Sequence, residues 1–235
     1  MPERSQWSWT SLNTGFWAAM LAAVWAVWFV VAYGLWMSRL PAWAGIDAYV
    51  SAFDELSYLA WVIPCFLLAI TFPVLMAAVY LYLSADRRAP ALVALVFASL
   101  SGAVLGATCF LLGTVVRVAL LAGVTNGLEL LVIGSPYSML NVLESAGFLF
   151  MGLAMVFAGL AWRVPGRWRR ATRGLLILNG VAGILAVAAG VLGAPAGWMI
   201  FLAVWATTFP VAAVLLALRF NLDLRVAPVS RVMKA

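Results

Sequence analysis

Six long apolar stretches are separated by short polar seams: Phe16–Met37, Leu56–Leu83, Ala91–Val116, Met139–Trp162, Gly174–Leu192 and Trp198–Leu218. Each approaches or exceeds the ~20 residues an α-helix needs to cross ~30 Å of hydrocarbon. Lipid offers no partner to a free backbone N–H or C=O, so a spanning segment must satisfy its own groups, and a helix does this internally. The stretches are continuous, unlike the alternation over about ten residues that a membrane β-barrel requires. The pattern therefore predicts an all-α integral membrane protein with six transmembrane helices, one domain over residues 1–235 with no soluble domain appended. The first stretch is too long for a signal peptide and lacks a small-residue cleavage site, so it is expected to be retained.

Two apolar stretches are interrupted by the same four letters, Thr71-Phe72-Pro73-Val74 and Thr208-Phe209-Pro210-Val211. The match extends back to Trp61-x-Ile63 and Trp198-x-Ile200, with seven of fourteen positions identical and no gap. Pro73 and Pro210 each remove one helical hydrogen bond, freeing the carbonyls of Ala69 and Ala206, and Pro64 adds a further bend. Thr71 and Thr208 are expected to satisfy loosened carbonyls through their hydroxyls. The bends would serve as hinges, line a cavity, or simply shape the helices for packing. Gly102 and Gly106 form a small-xxx-small pair, and Gly147, Gly152, Gly159, Gly180, Gly183 and Gly190 mark further close approaches. Asn179 needs a hydrogen-bond partner inside the bundle.

Charge sets the expected orientation. Twelve of the fourteen Lys and Arg residues fall on one side of the six-span topology, and only Arg39 and Arg117 fall on the other. Such a bias places the basic side, and both termini, in the cytoplasm. The net charge of +6 is this bias and calls for no nucleic acid. Arg163, Arg167, Arg169, Arg170 and Arg173 crowd one short loop, where they would contact anionic lipid headgroups or act as a topology signal alone. The twelve Trp residues are expected to form interfacial belts near span ends. Thirteen Arg against one Lys suits a GC-rich bacterial genome and a plasma-membrane location.

The residues that are missing narrow the chemistry. With no histidine, imidazole-ligated haem and metals and His-based acid–base or nucleophile pairs are excluded. No cofactor or metal site is expected, and no P-loop pattern occurs. Cys65 and Cys109 lie at similar depth in adjacent spans, where they would meet as apolar fillers or as a disulfide.

Acids gather on the opposite side: Asp47, Asp54, Glu55, Glu129 and Glu144. Acidic groups at the edge of an apolar bundle are candidates for ligand or proton binding. They also have a local explanation. Ser51, Asn126 and Asn141 each precede an acid by three residues (Asp54, Glu129 and Glu144), the spacing of a helix cap and a first-turn acid. Glu144 is the deepest of them, with Asn141 one turn before it, and Arg117 is expected to pair with Glu129 or Glu144. The loops Leu40–Ser51 and Val124–Ser138 are partly apolar, and Leu128–Ile133 is too short to span, so together they are expected to cap the outer mouth.

The stretches Leu143-Glu144-Ser145-Ala146-Gly147-Phe148-Leu149-Phe150-Met151-Gly152-Leu153 and Gly174–Ile184 resemble uncharacterised bacterial multi-pass membrane proteins, a six-helix domain of unknown function. That resemblance implies a topology and no activity. The expectation is a non-enzymatic protein that binds or transports a small molecule or lipid near its outer face, or a membrane subunit of a larger complex. Membrane lipids and a second copy or partner subunit are its expected partners. The alternative is a membrane-embedded enzyme using carboxylates only, Glu144 with Asp54 or Glu55.

Overall fold

A computed structural model describes residues 9–40, 42–162 and 167–226. Its helices are α1 (Trp9–Arg39), α2 (Ile46–Ser51), α3 (Glu55–Tyr82), α4 (Arg88–Leu111), α5 (Arg117–Leu121), α6 (Met139–Ala161), α7 (Arg167–Val191) and α8 (Pro195–Val226). A π turn at Leu112–Val116 carries α4 into α5, so the two form one span. Among the described residues there is no strand, and six helices are long and apolar enough to cross a membrane. Helices α1, α7 and α8 run well past their apolar stretches, because polar side chains at span ends stay helical while reaching water.

The six spans close into a ring. Each packs on its neighbours in the order α1, α3, α4, α6, α7, α8 and back to α1, and the α3–α6 diagonal adds a much smaller contact. The seam that closes the ring runs along α1. Ala18, Ala22 and Ala26 are stacked four residues apart and buried, with Ala19 and Ala23 beside them. A stripe of methyl groups lets α3 and α8 approach α1 from either side. The two TFPV copies then meet, with the rings of Phe72 and Phe209 6.0 Å apart and both almost fully buried.

Around the rest of the ring, close approach depends on missing side chains, as expected where hydrocarbon gives no hydrophobic drive between helices. A Cβ on Gly102 would lie 2.6 Å from Pro73 Cγ and 2.7 Å from the Ala69 carbonyl oxygen. Gly102 thus sits on the carbonyl that Pro73 frees. Gly152 and Gly180 face each other, and each one's missing Cβ space is taken by the other's carbonyl. Gly147 leaves room for Leu105, and its own carbonyl accepts a 2.8 Å bond from the Ser101 hydroxyl. Gly106 has open space around it, so the Gly102-xxx-Gly106 pair is not a seam; only its first member is used.

The threonines of the two repeats act alike, but not on the freed carbonyls. Thr71 Oγ1 donates to Leu67 O and Thr208 Oγ1 to Val204 O, both at 2.7 Å. These are back-bonds one turn earlier, of the kind that bends a helix. Asn179 finds its partners here, donating from Nδ2 to Trp205 O and to Thr208 Oγ1, each at 2.9 Å. The tryptophan belt is only partial. Trp36, Trp61, Trp162 and Trp205 lie in the core, while Trp9, Trp17, Trp28 and Trp168 are exposed.

The glycine contacts make a contrast that can be measured. Gly102→Ala should lower stability by about 1–3 kcal/mol through overpacking against Pro73 and a carbonyl. Gly106→Ala should stay within about 0.5 kcal/mol of the parent. Thermal unfolding of both variants in the same detergent tests the pair.

Candidate functional site

Helix α6 turns one face to the centre of the ring. Along it run Glu144, Phe148, Met151 and Met155, spaced three or four residues apart as one helical face requires. Phe148 fixes the direction of that face. Its ring lies 6.1 Å from Phe29 on α1 and 5.2 Å from Trp205 on α8, neither of which is on a helix adjacent to α6 in the ring. Trp205 continues to Phe209 at 5.7 Å, and Phe209 to Phe72 on α3. Five rings from four helices therefore plug the middle of the bundle. Below them Met151 and Met155 are buried.

Above the plug, one turn before Phe148, stands Glu144. Tyr33 stands one turn beyond Phe29 on α1, as Glu144 stands one turn before Phe148 on α6, so the two residues flank the same end of the plug. Glu144 and Tyr33 are each surrounded by protein, yet each stays partly accessible. Tyr33 packs on Phe29 at 5.4 Å and on Trp61 at 5.2 Å, and Trp36 and Tyr58 complete an aromatic back wall. No hydrogen bond or ion pair to the Glu144 carboxylate forms among the described residues.

The π turn shapes the same wall. The Tyr58 hydroxyl donates to the Leu112 carbonyl at 3.4 Å, where the wider turn begins. A π turn needs an i+5 bond and leaves local carbonyls available to other donors. Deeper along α3 and α4 the thiols of Cys65 and Cys109 touch, at 2.9 Å, and both are free and buried.

The end of the ring nearest Glu144 is covered by the two apolar loops. Helix α2 inserts Tyr49, and the stretch after α5 makes a 3₁₀ turn at Leu128–Leu130 and buries Leu128, Val132 and Ile133. Burial without a partner for its hydroxyl pushes the Tyr49 phenol above its ordinary range. Between the loops lies an open groove of about 410 Å³, lined by Trp43, Ile46, Asp47, Asn126, Glu129 and Tyr137 among others.

The capping expectations need correction. Helix α3 is capped by Asp54, which accepts from Ser57 N at 3.1 Å, and not by Ser51, which ends α2. Hydrogen bonds from Ser57 hold the Asp54 carboxylate below its ordinary range. The cap of α6 is Ser138, accepting from Asn141 N at 3.2 Å, so Glu144 lies in the second turn, where a cap does not explain it. Asn141 instead donates from Nδ2 to Ser135 O at 3.1 Å. Gly127, with φ +72°, precedes the turn that holds Glu129, and Asn126 caps nothing there. Of the three acids expected in first turns, only Glu129 lies in one, while Asp47 and Glu55 stand in the first turns of α2 and α3.

Arg117 is the other correction. Its Nε and Nη2 both approach Glu55 Oε1, at 2.6 and 2.5 Å, and it pairs with neither Glu129 nor Glu144. Arg117 comes directly after the π turn, and a turn of i+5 shifts the phase of everything beyond it by about one residue. The pairing also removes Glu55 as a second carboxylate for Glu144, and Asp54 is engaged as a cap.

At the arginine-rich end, Arg163 lies outside the described residues, as does the side chain of Arg167. Arg170 is exposed, Arg169 half-buried, and Arg173 keeps a buried Nε without a partner. A cluster with no sequence motif occupies this end of the core. Tyr82 donates its hydroxyl to Asp223 Oδ2 and accepts from Arg219 Nε, both at 2.7 Å, while Arg219 and Asp223 pair one turn apart. The spacing of Arg219 and Asp223 on one helix was a visible clue.

Substitution separates the two acids. Glu55→Gln should cost about 1 kcal/mol, because its ion pair is only partly buried and solvent still screens it. Glu144→Gln should fold as well as the parent or better, because the charge it removes has no partner to compensate its desolvation. Unfolding midpoints in nanodiscs test both. Comparison of the chain with protein-family models, with curated proteins and with solved structures finds no match.

Proposed function

We propose that this chain is a multi-pass protein of a bacterial plasma membrane that binds a small molecule from the outer face, in the crevice between Glu144 and Tyr33. The orientation rests on twelve basic residues against two. One observation supports the binding reading above the others: a carboxylate inside a membrane bundle, partly accessible and without a partner. A charged group in that position is costly and is usually retained for what it binds. The five-ring plug beneath it favours a closed-bottomed binding site in this conformation over an open pore. Bending at Pro73 and Pro210, where both plug residues Phe72 and Phe209 reside, is the route by which transport would open it. Anionic headgroups at the opposite face are the proposed partners of the arginine-rich end, with the exposed Arg170 the side chain best able to reach them.

Native mass spectrometry of protein released from nanodiscs made with its own membranes tests this directly. Wild-type protein should carry an adduct that Glu144→Gln loses and that Glu129→Gln keeps. An adduct of equal occupancy in Glu144→Gln would place the ligand elsewhere.

A further inference from the structure

We propose that the ligand of the Glu144 crevice is a monovalent organic cation with an apolar body, an amine or quaternary ammonium, held between the Glu144 carboxylate and the rings of Tyr33 and Phe148. The inference rests on the binding reading above and specifies its chemistry.

The helix portions that surround the crevice bring no cation to it. The acid-side halves of α7 and α8 carry no charged residue in Asn179–Val191 or Pro195–Thr208. On the other elements Arg117 is taken by Glu55, and Arg39 reaches the Ser57 hydroxyl at 3.4 Å. The carboxylate therefore lacks a counter-charge from the protein, and a ligand that supplies one removes the cost of leaving it unpaired.

The shape of the surroundings then selects among cations. A hard divalent ion takes six or more oxygen ligands, and among the described residues no three Asp, Glu, His or Cys side chains gather. What borders Glu144 instead is aromatic: Tyr33 and Phe148 are partly accessible, and Phe29, Trp36, Tyr58 and Trp61 are packed behind them. Aromatic faces attract organic cations, more strongly where water is scarce. A compact ammonium with an apolar body satisfies both halves of the site.

The approach has the same sign. Asp47 and Glu129 line the groove at the mouth, and neither is in an ion pair among the described residues. Acids along a low-dielectric entrance raise the local concentration of cations. Protons compete for the same carboxylate, so affinity should fall as pH falls. The other titratable groups near Glu144 are Tyr33 on α1 and Tyr58 and Cys65 on α3, phenols and a thiol that lose their protons only well above the carboxylate range.

The test uses benzyltrimethylammonium and its uncharged isostere neopentylbenzene, titrated onto the full chain in phosphatidylcholine nanodiscs and read by tryptophan fluorescence and calorimetry. The cation should bind, with affinity lowered at least about ten-fold by Glu144→Gln and lowered by Phe148→Leu, and it should weaken on acidification. The isostere should not bind above empty nanodiscs. If the isostere binds as tightly as the cation, and Phe148→Leu weakens both equally, the crevice is a binding site and the cation inference is wrong. If the cation does not bind, or binds Glu144→Gln and Phe148→Leu as it binds the parent, the site itself is wrong. Size-exclusion profiles confirm folding, and Phe148→Leu carries the comparison should Glu144→Gln fail to fold.

Discussion

Five aromatic rings at the centre of the bundle hold the architecture together. Phe29, Phe72, Phe148, Trp205 and Phe209 come from α1, α3, α6 and α8, four of the six spans, and each lies within ring-contact distance of at least one other. In a bilayer the exterior is as apolar as the interior, so these rings gain little from leaving lipid and much from tight mutual contact. A ring of six helices would otherwise enclose a void. Filling it demands large side chains on the inward faces and small ones at the seams, which is the division observed between aromatics on α3, α6 and α8 and the alanine stripe on α1.

The same division explains why Glu144 stands where it does. The plug fills the middle; above it Tyr33, Trp36, Tyr58 and Trp61 pack on one another, and two loops with a groove between them cover that end. A carboxylate placed one turn above the plug is held away from bulk water without being sealed from it. Nearby acids have been given ordinary work: Asp54 caps a helix and Glu55 holds Arg117. Glu144 is left without any.

The spans were legible because their number and length follow from the thickness of hydrocarbon and the need to satisfy every backbone group. The TFPV repeat was legible as a matched pair of prolines inside two helices running the same way. That their phenylalanines touch was not, since α3 and α8 are far apart in sequence and meet only because α1 is narrow. The caps were misread by three residues. Ser51, Asp54, Ser138 and Asn141 all have capping side chains, and sequence alone cannot say which of two candidates in one turn begins the helix. The partner of Arg117 was misread because the π turn at Leu112–Val116 leaves no sequence pattern yet rotates every later residue of the span about the helix axis. Glu144 itself was singled out by its depth and by the polar residue one turn before it. Its isolation became visible only once the helix start and the Arg117 pair had moved elsewhere.

The central claim is a crevice that reaches Glu144 from the acidic end and stops at the aromatic plug. Cysteine accessibility measures this most directly, in a background with Cys65 and Cys109 replaced by serine. In nanodiscs, a water-soluble, membrane-impermeant maleimide should label Glu144→Cys and Tyr33→Cys and leave Met151→Cys and Leu68→Cys untouched. Equal labelling of Met151→Cys, or none at Glu144→Cys, would contradict the account.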